Sequence, residues 1–483
     1  MSKWKVRTKK LAVWELTLAC NLRCNHCGSA AGKPREGELS VDQLLDVIGL
    51  LVKENVEEVS LIGGEATLRH DWPIVVEALV DAGIEVSIQT GGYHIDRAIS
   101  ERFVELGVKG VGVSIDGLSE THNQLRGRSD SYEHALDALV NLRRAGIENL
   151  GVYTQVNRLN FSEIPKLFDV LIDHGVSGWQ LSPTIPMGSA VANELLCFQP
   201  CDFEALHELM AVLSVAGLQH MISVTPTNAM GYFGPYERLI RSSGDILRVY
   251  PSCPAGDQVI GIEADGTVKG CPSLPTDLFA TGNVLEDGLE NLNLAYHQAH
   301  DENPNRHPNI YRKTLKGFCS SCPFSPVCKA GCPWASTSIH GERGDNPYCM
   351  FRSIVNNAKG TPEFMKCLDV GTLSPFSRGS YSVYASDFPS SEVTPKSLNL
   401  EGMEWPARLL PIASEFAELR PRVRSETLRA YNEFRSFPLF KAKVSANFLL
   451  QLEKLCLPEI ANQAMVAEGL LQKDATSELT STL

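Results

Sequence analysis

Short apolar runs alternate with amphipathic stretches along the N-terminal part of the chain. Runs rich in β-branched residues predict strands at 12–19, 58–62, 84–90, 110–115, 150–156 and 177–182. Apolar residues at helical spacing predict helices at 41–53, 71–82, 95–106, 132–145, 163–174 and 202–216. Most of these helices are followed by Gly or Asn, residues that often end a helix.

This alternation predicts an α/β fold in which right-handed crossover helices join parallel strands. Six βα units are too few to close an eight-stranded barrel, so we expect a partial (β/α)6 barrel over residues 1–220. In such folds the functional residues lie at the carboxyl ends of the strands. The loop after the first strand is therefore the first place to look for a site.

The pattern changes beyond the barrel. Residues 221–358 are predicted to form a small Cys-rich domain with its bridging segment, in which a hairpin turns at Asp265-Gly266. Its poor apolar pattern indicates a fold that depends on metal. Residues 359–400 are rich in Ser, Pro and Gly and predict a linker or extended loop, and residues 401–483 predict a mainly helical C-terminal extension.

Composition narrows the class of protein. The 483 residues include 44 Lys and Arg against 57 Asp and Glu, and the resulting net charge of −13 argues against a nucleic-acid partner. No apolar run is long enough to span a membrane, and the basic N-terminus has no apolar stretch of a signal peptide behind it. We therefore expect a cytoplasmic protein without a membrane partner. Fourteen cysteines in such a chain favour metal or redox chemistry over disulfides.

The cysteines fall into groups. Cys20, Cys24 and Cys27 follow the first predicted strand with C-x3-C-x2-C spacing, and seven more lie between residues 253 and 349. Three close thiolates can hold three corners of a cubane iron–sulfur cluster, whereas zinc would need a fourth ligand such as His26. The spacing favours iron–sulfur over zinc. For two other cysteines, Cys367 and Cys456, packing as small apolar residues is the simplest interpretation.

The segment ACNLRCNHC after the first strand, with LIGGE at the end of the second, resembles the radical SAM superfamily. The resemblance implies that Cys20, Cys24 and Cys27 hold a 4Fe–4S cluster whose open iron is chelated by S-adenosyl-L-methionine (SAM). Reductive cleavage of SAM would give a 5′-deoxyadenosyl radical that abstracts a hydrogen atom from the substrate.

The same resemblance implies further SAM contacts at the ends of strands two, four and six. These contacts are Gly63, Gly64 and Glu65 for the methionine amino group, Ser114 and Asp116 for the ribose, Arg126 for the methionine carboxylate, and Gln180 with Leu181 near the adenine. Ala66 stands where the family's strand-two motif usually has Pro. Taken singly, the glycine motif, Ser114 and Arg126 also fit ordinary turns.

The later cysteines are similar in order and spacing to the SPASM domain that follows many radical SAM barrels. The resemblance implies two auxiliary clusters, the first held by Cys253, Cys271 and Cys332 and the second by Cys319, Cys322, Cys328 and Cys349. The first cluster would have only three ligands. Cys197 or Cys201 could complete it, could donate a hydrogen atom to a substrate radical, or could simply pack.

Members with SPASM domains include enzymes that mature ribosomal peptides. Pro272 stands where sulfatase-maturing relatives carry a catalytic Asp, so a crosslink, an epimerisation or a backbone excision such as tyramine splicing is expected instead. The implied partners are a precursor peptide, an electron donor such as flavodoxin or ferredoxin, and a separate leader-peptide-binding protein. The alternatives are a radical SAM dehydrogenase or lyase of a small-molecule or cofactor pathway, and a non-catalytic, metal-stabilised binding protein.

Overall fold

The computed structural model describes residues 10–241, 253–292, 295, 314–322, 324–372, 374–385 and 397–435. Cys456 and most of the predicted C-terminal helical extension lie outside the described residues. None of the described helices is both long enough and apolar enough to cross a bilayer.

A ten-stranded sheet organises the structure, in the order β10-β9-β8-β1-β2-β3-β4-β5-β6-β7. Strands β1 to β8 run parallel to their neighbours, and β9 and β10 complete one edge in antiparallel pairing. The strands are β1 Leu11–Glu15, β2 Glu58–Ile62, β3 Glu85–Thr90, β4 Gly110–Ser114, β5 Asn149–Val156, β6 Gly178–Pro183, β7 Ser223–Pro226, β8 Val259–Ile262, β9 Thr267–Lys269 and β10 Gly282–Asn283.

Crossover helices pack their apolar faces against one face of this sheet. They are α1 Val41–Lys53, α2 Trp72–Asp81, α3 Arg97–Glu105, α4 Ser119–Arg126, α5 Ser131–Ala145, α6 Ile164–Asp173 and α7 Phe203–His220. Trp179 of β6 shows the layering, because its ring lies 6.2 Å from that of Phe168 on α6 and its indole N–H donates to Thr154 Oγ1 at 2.8 Å.

The expected parallel α/β fold is confirmed. The bounds of β2 and α1 match the sequence prediction, and a capping box between Ser40 and Gln43 explains why α1 begins where it does. Between β1 and β7, one helix and one strand were not predicted: α4, which has few apolar residues, and the short strand β7. The first strand is shorter than predicted, since the chain leaves regular pairing after Glu15 to build the loop described below.

The predicted hairpin is confirmed as the antiparallel pair β8–β9, with Asp265-Gly266 between the strands. Its place is unexpected, because β8 also pairs in parallel with β1. The hairpin therefore extends the main sheet next to the strand that carries the first cysteine group.

The remaining helices are mostly short. They are α8 Glu237–Arg241, α9 Thr276–Phe279, α10 Val284–Asp287, α11 Gly317–Ser321, α12 Ser325–Cys328, α13 Pro333–His340, α14 Met350–Ala358 and α15 Leu410–Arg435. Single 3-10 turns occur at Ala66–Leu68, Phe161–Glu163, Gly188–Ala192, Glu194–Leu196, Pro200–Asp202 and Asn228–Met230. The region expected to be a linker or extended loop contains an antiparallel hairpin of β11 Phe364–Asp369 and β12 Ser380–Tyr384.

Candidate active site

Cys20, Cys24 and Cys27 lie on one loop at the carboxyl end of β1. The loop closes on itself through the Gly32 N–H, which donates to the Leu18 carbonyl at 2.9 Å. Its middle is fixed to the end of α4, because the Asn25 N–H donates to the Leu125 carbonyl at 2.8 Å. The sequence prediction of a functional loop at this edge of the sheet is consistent with this placement.

Each of the three thiols has a hydrogen-bond donor of its own. The Leu22 N–H donates to Cys20 Sγ and the Ala31 N–H to Cys27 Sγ, each at 3.4 Å. Arg126 Nη1 lies 3.7 Å from Cys24 Sγ. Donors of this kind stabilise thiolates, the form in which cysteine binds metal.

Burial raises the pKa of the Cys20 thiol and raises that of Cys24 to about 12. Neighbouring thiols add to this rise in pKa, because a second negative charge nearby is unfavourable. Both thiols are therefore protonated in the absence of a cation and would release protons on binding one. Among the described side chains, no three His, Cys, Asp or Glu groups converge as the ligands of one metal ion would.

Glu65 is buried at the end of β2, and its carboxylate is held on both oxygens. Oε1 accepts from Thr67 Oγ1 at 2.8 Å, and Oε2 accepts from Thr90 Oγ1 at 2.8 Å and from the Gly91 N–H at 3.0 Å. The negative charge of Glu65 adds to the rise in the pKa of Cys20 that burial causes. The structure thus brings the predicted carboxylate to the edge of the cysteine loop.

His94 joins this network although the sequence analysis did not select it. Its Nδ1 lies 2.9 Å from Asn21 Nδ2 in the cysteine loop, and its Nε2 lies 2.9 Å from Thr67 Oγ1. Because Thr67 donates to Glu65, the imidazole links the loop to the carboxylate. Nothing in the local sequence marks this histidine, since its partners come from other βα units.

Gly63 and Gly64 are packed against the backbone that follows β1. A Cβ atom on Gly63 would lie 2.4 Å from the Thr17 carbonyl oxygen, and one on Gly64 would lie 2.3 Å from that of Ala19. The Glu65 N–H donates to the same Ala19 carbonyl at 2.8 Å. The two glycines therefore allow the β2 end to approach the base of the cysteine loop.

Gly64→Ala is expected to destabilise the protein by about 2–3 kcal/mol or more, because the added methyl group meets backbone that cannot move aside cheaply. The midpoint of urea unfolding will measure this cost. Gly49→Ala is the matched control, since Gly49 lies in α1 with open space around its Cα and the change should stabilise by about 0.5–1 kcal/mol. A Gly64→Ala midpoint equal to that of the wild type would contradict the packing argument.

Asp116 and Arg126 form a buried ion pair behind the cysteine loop. Asp116 Oδ2 lies 2.6 Å from Arg126 Nη2 and 2.9 Å from His26 Nε2, and Oδ1 accepts from the Gln155 N–H at 2.8 Å. Burial alone would raise the pKa of the Asp116 carboxyl, but Arg126 and His26 hold it well below its usual range. Asp116 thus serves as the counter-ion of Arg126, a contact that the resemblance did not imply.

Arg126 keeps one donor free of protein acceptors. Its Nε is buried and has no hydrogen-bond partner, while its two terminal nitrogens face Asp116 and Cys24. An unpaired buried donor on a charged group is costly, so the site fits an anionic acceptor such as a carboxylate. The three thiols, the Glu65 carboxylate and the Arg126 guanidinium thus lie around the same end of the sheet.

The other predicted SAM contacts, Ser114, Gln180 and Leu181, differ in how deeply their side chains are buried. Ser114 ends β4 and Gln180 lies on β6, both partly buried. The Leu181 side chain is fully buried in the hydrophobic core, and its carbonyl accepts from the Thr227 N–H at 2.9 Å. The Leu181 side chain is thus not exposed to a ligand.

A second group of cysteines shares one apolar pocket. Cys319, Cys322, Cys328 and Cys349 line it together with aromatic residues that include Phe318, Phe324 and Phe351. Burial raises the pKa of Cys319, Cys328 and Cys349, and the neighbouring thiols raise that of Cys328 further. The structure therefore brings together the four cysteines that the resemblance assigned to one cluster.

Cys253, Cys271 and Cys332 lie apart from that pocket lining. Cys253 and Cys271 pack against Ala255, Leu274 and Phe279. Cys271 lies close enough to Cys332 for its charge to raise the pKa of the Cys332 thiol. Burial raises the pKa of Cys332 to about 12, and backbone N–H groups after it partly offset the rise.

Trp334 connects this third group with the first. It packs against the same apolar cluster as Cys253 and Cys271, and its Cζ2 would lie 3.9 Å from a Cβ atom on Gly28, the residue after Cys27. Its indole nitrogen is buried without a hydrogen-bond partner. Lys269 supports the same region, because its buried Nζ donates to the Leu274 carbonyl at 2.7 Å and pairs with Glu263 at 2.7 Å.

Cys197 and Cys201 occupy packed positions. Cys197 is fully buried next to Cys367, and burial raises its pKa. Cys201 Sγ lies 3.3 Å from Ser397 Oγ, and burial raises its pKa to about 12. These surroundings favour packing for both residues.

Comparison with known proteins gives the family. The model described as "Radical SAM superfamily" matches residues 14–171. Mycofactocin maturase MftC of Mycobacterium ulcerans is 30% identical over 66% of this chain and 81% of its own, and AdoMet-dependent heme synthase of Methanosarcina barkeri is 28% identical over 71% and 97%. The chain belongs to the radical SAM superfamily, as its cysteine loop predicted.

Solved structures agree on the fold. Streptococcus suis SuiB bound to S-adenosylmethionine superposes with a TM-score of 0.52 and 16% identity, over 71% of this chain and 76% of that one. At this identity the likeness concerns the fold alone. Enzymes of the family use SAM and a 4Fe–4S cluster, for which the cysteine loop and its surroundings are chemically suited.

Proposed function

We propose that this protein modifies a ribosomally synthesised precursor peptide by hydrogen-atom abstraction. Residues 1–220 would form a partial (β/α)6 barrel, with a SPASM domain after it. Cys20, Cys24 and Cys27 would hold the SAM-binding cluster, which supplies a 5′-deoxyadenosyl radical when bound and reduced. The two later cysteine groups would hold auxiliary clusters.

One observation carries the assignment of the SAM site: the three-thiol loop lies beside Arg126, whose Nε is unpaired, at the carboxyl edge of the sheet. In this assignment Arg126 would bind the carboxylate of methionine, and Asp116 keeps the guanidinium in place. Glu65, held by Thr67, Thr90 and Gly91, would bind the amino group. The N–H groups of Leu22 and Ala31 neutralise charge on the sulfur ligands.

Two further features support a peptide as substrate. Gln89, Tyr153 and Gln180 alternate with core residues on β3, β5 and β6, so they face away from the helices. Such side chains suit the amide groups of an extended peptide. The similarity to a mycofactocin maturase over most of its length points the same way.

A cofactor pathway is the second candidate. The chain covers 97% of the M. barkeri heme synthase, so a tetrapyrrole is the small-molecule substrate to test. In either case an electron donor such as flavodoxin or ferredoxin and a cytoplasmic location are part of the proposal. A separate leader-peptide-binding protein belongs to the peptide hypothesis alone.

The test is deuterium transfer. Candidate precursor peptides, taken from any short reading frames next to the gene, will be prepared fully deuterated and incubated with the reduced enzyme and SAM, and the mass of 5′-deoxyadenosine will be measured. Deuterium in 5′-deoxyadenosine from the peptide supports the proposal. Incorporation only from a deuterated iron–porphyrin would favour the cofactor pathway, and no SAM cleavage with either substrate would leave a binding protein.

The second auxiliary site provides a separate prediction. Cys319→Ala is expected to leave 5′-deoxyadenosine formation within about twofold of wild type while peptide product is lost, since the four-cysteine pocket is distinct from the SAM loop. Cys367→Ala, a partly buried thiol outside all three groups, is the matched control and should leave both unchanged. Full product yield from Cys319→Ala would reject a role for this site in the reaction.

A further inference from the structure

Helix α15 lies far beyond residue 171, where the family model ends. The relatives described above match 66% and 71% of this chain. The helix nevertheless packs on the body of the protein. Phe416 meets Tyr236 edge to face at 5.1 Å, and Ile412 and Val423 are buried.

Two arginines orient the helix on α7. Arg420 donates from Nε and Nη2 to both oxygens of Glu208, at 2.7 and 2.8 Å. Arg424 makes the same two-pronged contact with Glu204. Paired N–H···O contacts fix the direction of the guanidinium, so they define the register at which the helix lies.

The far end of α15 reaches the four-cysteine pocket. Tyr431 is 3% exposed, and its ring stacks on that of Phe318 at 5.7 Å with planes 14° apart. It also lies 6.1 Å from the ring of Phe351. Phe318 and Phe351 line the pocket itself, and Leu428, one turn before Tyr431, packs on the same aromatic group.

We propose that α15 is the cover of the four-cysteine pocket and that Tyr431 seals it against solvent and dissolved oxidants. The inference rests on the proposed function only in that a cluster would occupy the pocket. Solvent access to an iron–sulfur site governs its stability and reduction potential, so a helix that closes the pocket protects what the cysteines hold. Tyr431 acts through Phe318 and Phe351 and is a shielding residue.

The experiment follows each cysteine in the full-length holoenzyme. Protein is exposed to air with iodoacetamide, and alkylation of individual cysteines is timed by peptide mass spectrometry, because cysteines become reactive as their cluster is lost. We expect Tyr431→Ala to accelerate labelling of Cys322, Cys328 and Cys349 by about tenfold through easier local opening. Labelling of Cys20, Cys24 and Cys27 should not change.

Matched variants distinguish a loss of shielding at the pocket from a general destabilisation of the fold. Tyr431→Phe keeps the ring, and Asn432→Ala alters the exposed neighbouring residue; both should label at the wild-type rate. The double variant Arg420→Gln/Arg424→Gln weakens the docking of the helix on α7 without touching the pocket, and it should accelerate labelling of the same cysteines. Cys197, fully buried in the core, reports the fold and should stay unlabelled.

If Cys322, Cys328 and Cys349 are alkylated at wild-type rates in both Tyr431→Ala and the double arginine variant, the proposal that α15 covers the pocket is wrong. Iron content distinguishes this outcome from failure of the proposed function. Wild-type protein that binds only about four irons would reject the auxiliary clusters, whereas the labelling rates would still decide whether α15 covers the pocket.

Discussion

Replacing Cys20, Cys24 and Cys27 together by alanine will abolish 5′-deoxyadenosine formation and remove about a third of the iron, from about twelve to about eight atoms per chain. The reason is that these thiols, on the loop beside Arg126 and Glu65, are the proposed ligands of the SAM-binding cluster, while the other two cysteine groups lie elsewhere in the structure. Iron content after anaerobic purification and 5′-deoxyadenosine from SAM with dithionite measure the two effects.

One control variant and two contrary outcomes test this prediction. Cys197→Ala changes a core thiol outside the three groups and should leave the iron content unchanged, although it will cost some stability because the residue is fully buried. Zinc in place of iron, or wild-type iron without SAM cleavage, would contradict the assignment. The second case would leave a metal-stabilised binding protein as the better hypothesis.

Arg126→Met will lower the free energy of unfolding by about 3–5 kcal/mol. The substitution leaves the Asp116 carboxylate, which has no exposed surface, without its charged partner. It also removes the donor next to Cys24. Urea unfolding of the metal-free variant and wild type will measure the loss without any contribution from a cluster.

The control for Arg126 is an exposed pair. Arg97 and Glu101 lie one helical turn apart on α3 with mostly exposed side chains, and Arg97→Ala should cost about 0.5 kcal/mol or less. The double variant Arg126→Met/Asp116→Asn should recover part of the loss, because no unpaired charge remains buried. A single Arg126→Met that is as stable as Arg97→Ala would show that the buried pair is not what holds this region.

Local patterns predicted much of the fold. α1 and β2 could be predicted to the residue, since a capping box begins the helix and a run of β-branched and apolar residues marks the strand. α4 could not, because SETHNQLR has too few apolar residues to indicate a buried face. That helix is stabilised by its place under the cysteine loop, where the carbonyls of Leu125 and Arg126 accept from the loop.

Part of the chemistry of the site could also be predicted from the sequence. Cysteine spacing and the glycine-glutamate motif indicated a radical SAM protein, and the family is confirmed. His94 and Lys269 were missed, because each acts through groups that are brought near only by folding. The role of Asp116 as counter-ion to Arg126 was likewise visible only once β4 and α4 were placed together.

The alternation of elements, the parallel α/β class and the thiols available for metal could be read from the chain, because they depend on periodicity and residue type over short distances. Three features became visible only in the folded protein: which cysteines share a pocket, that β8 joins β1, and that α15 reaches Phe318. These contacts join segments far apart in the chain. Apolar periodicity shows which face of an element is buried, but it does not show which distant segment covers that face.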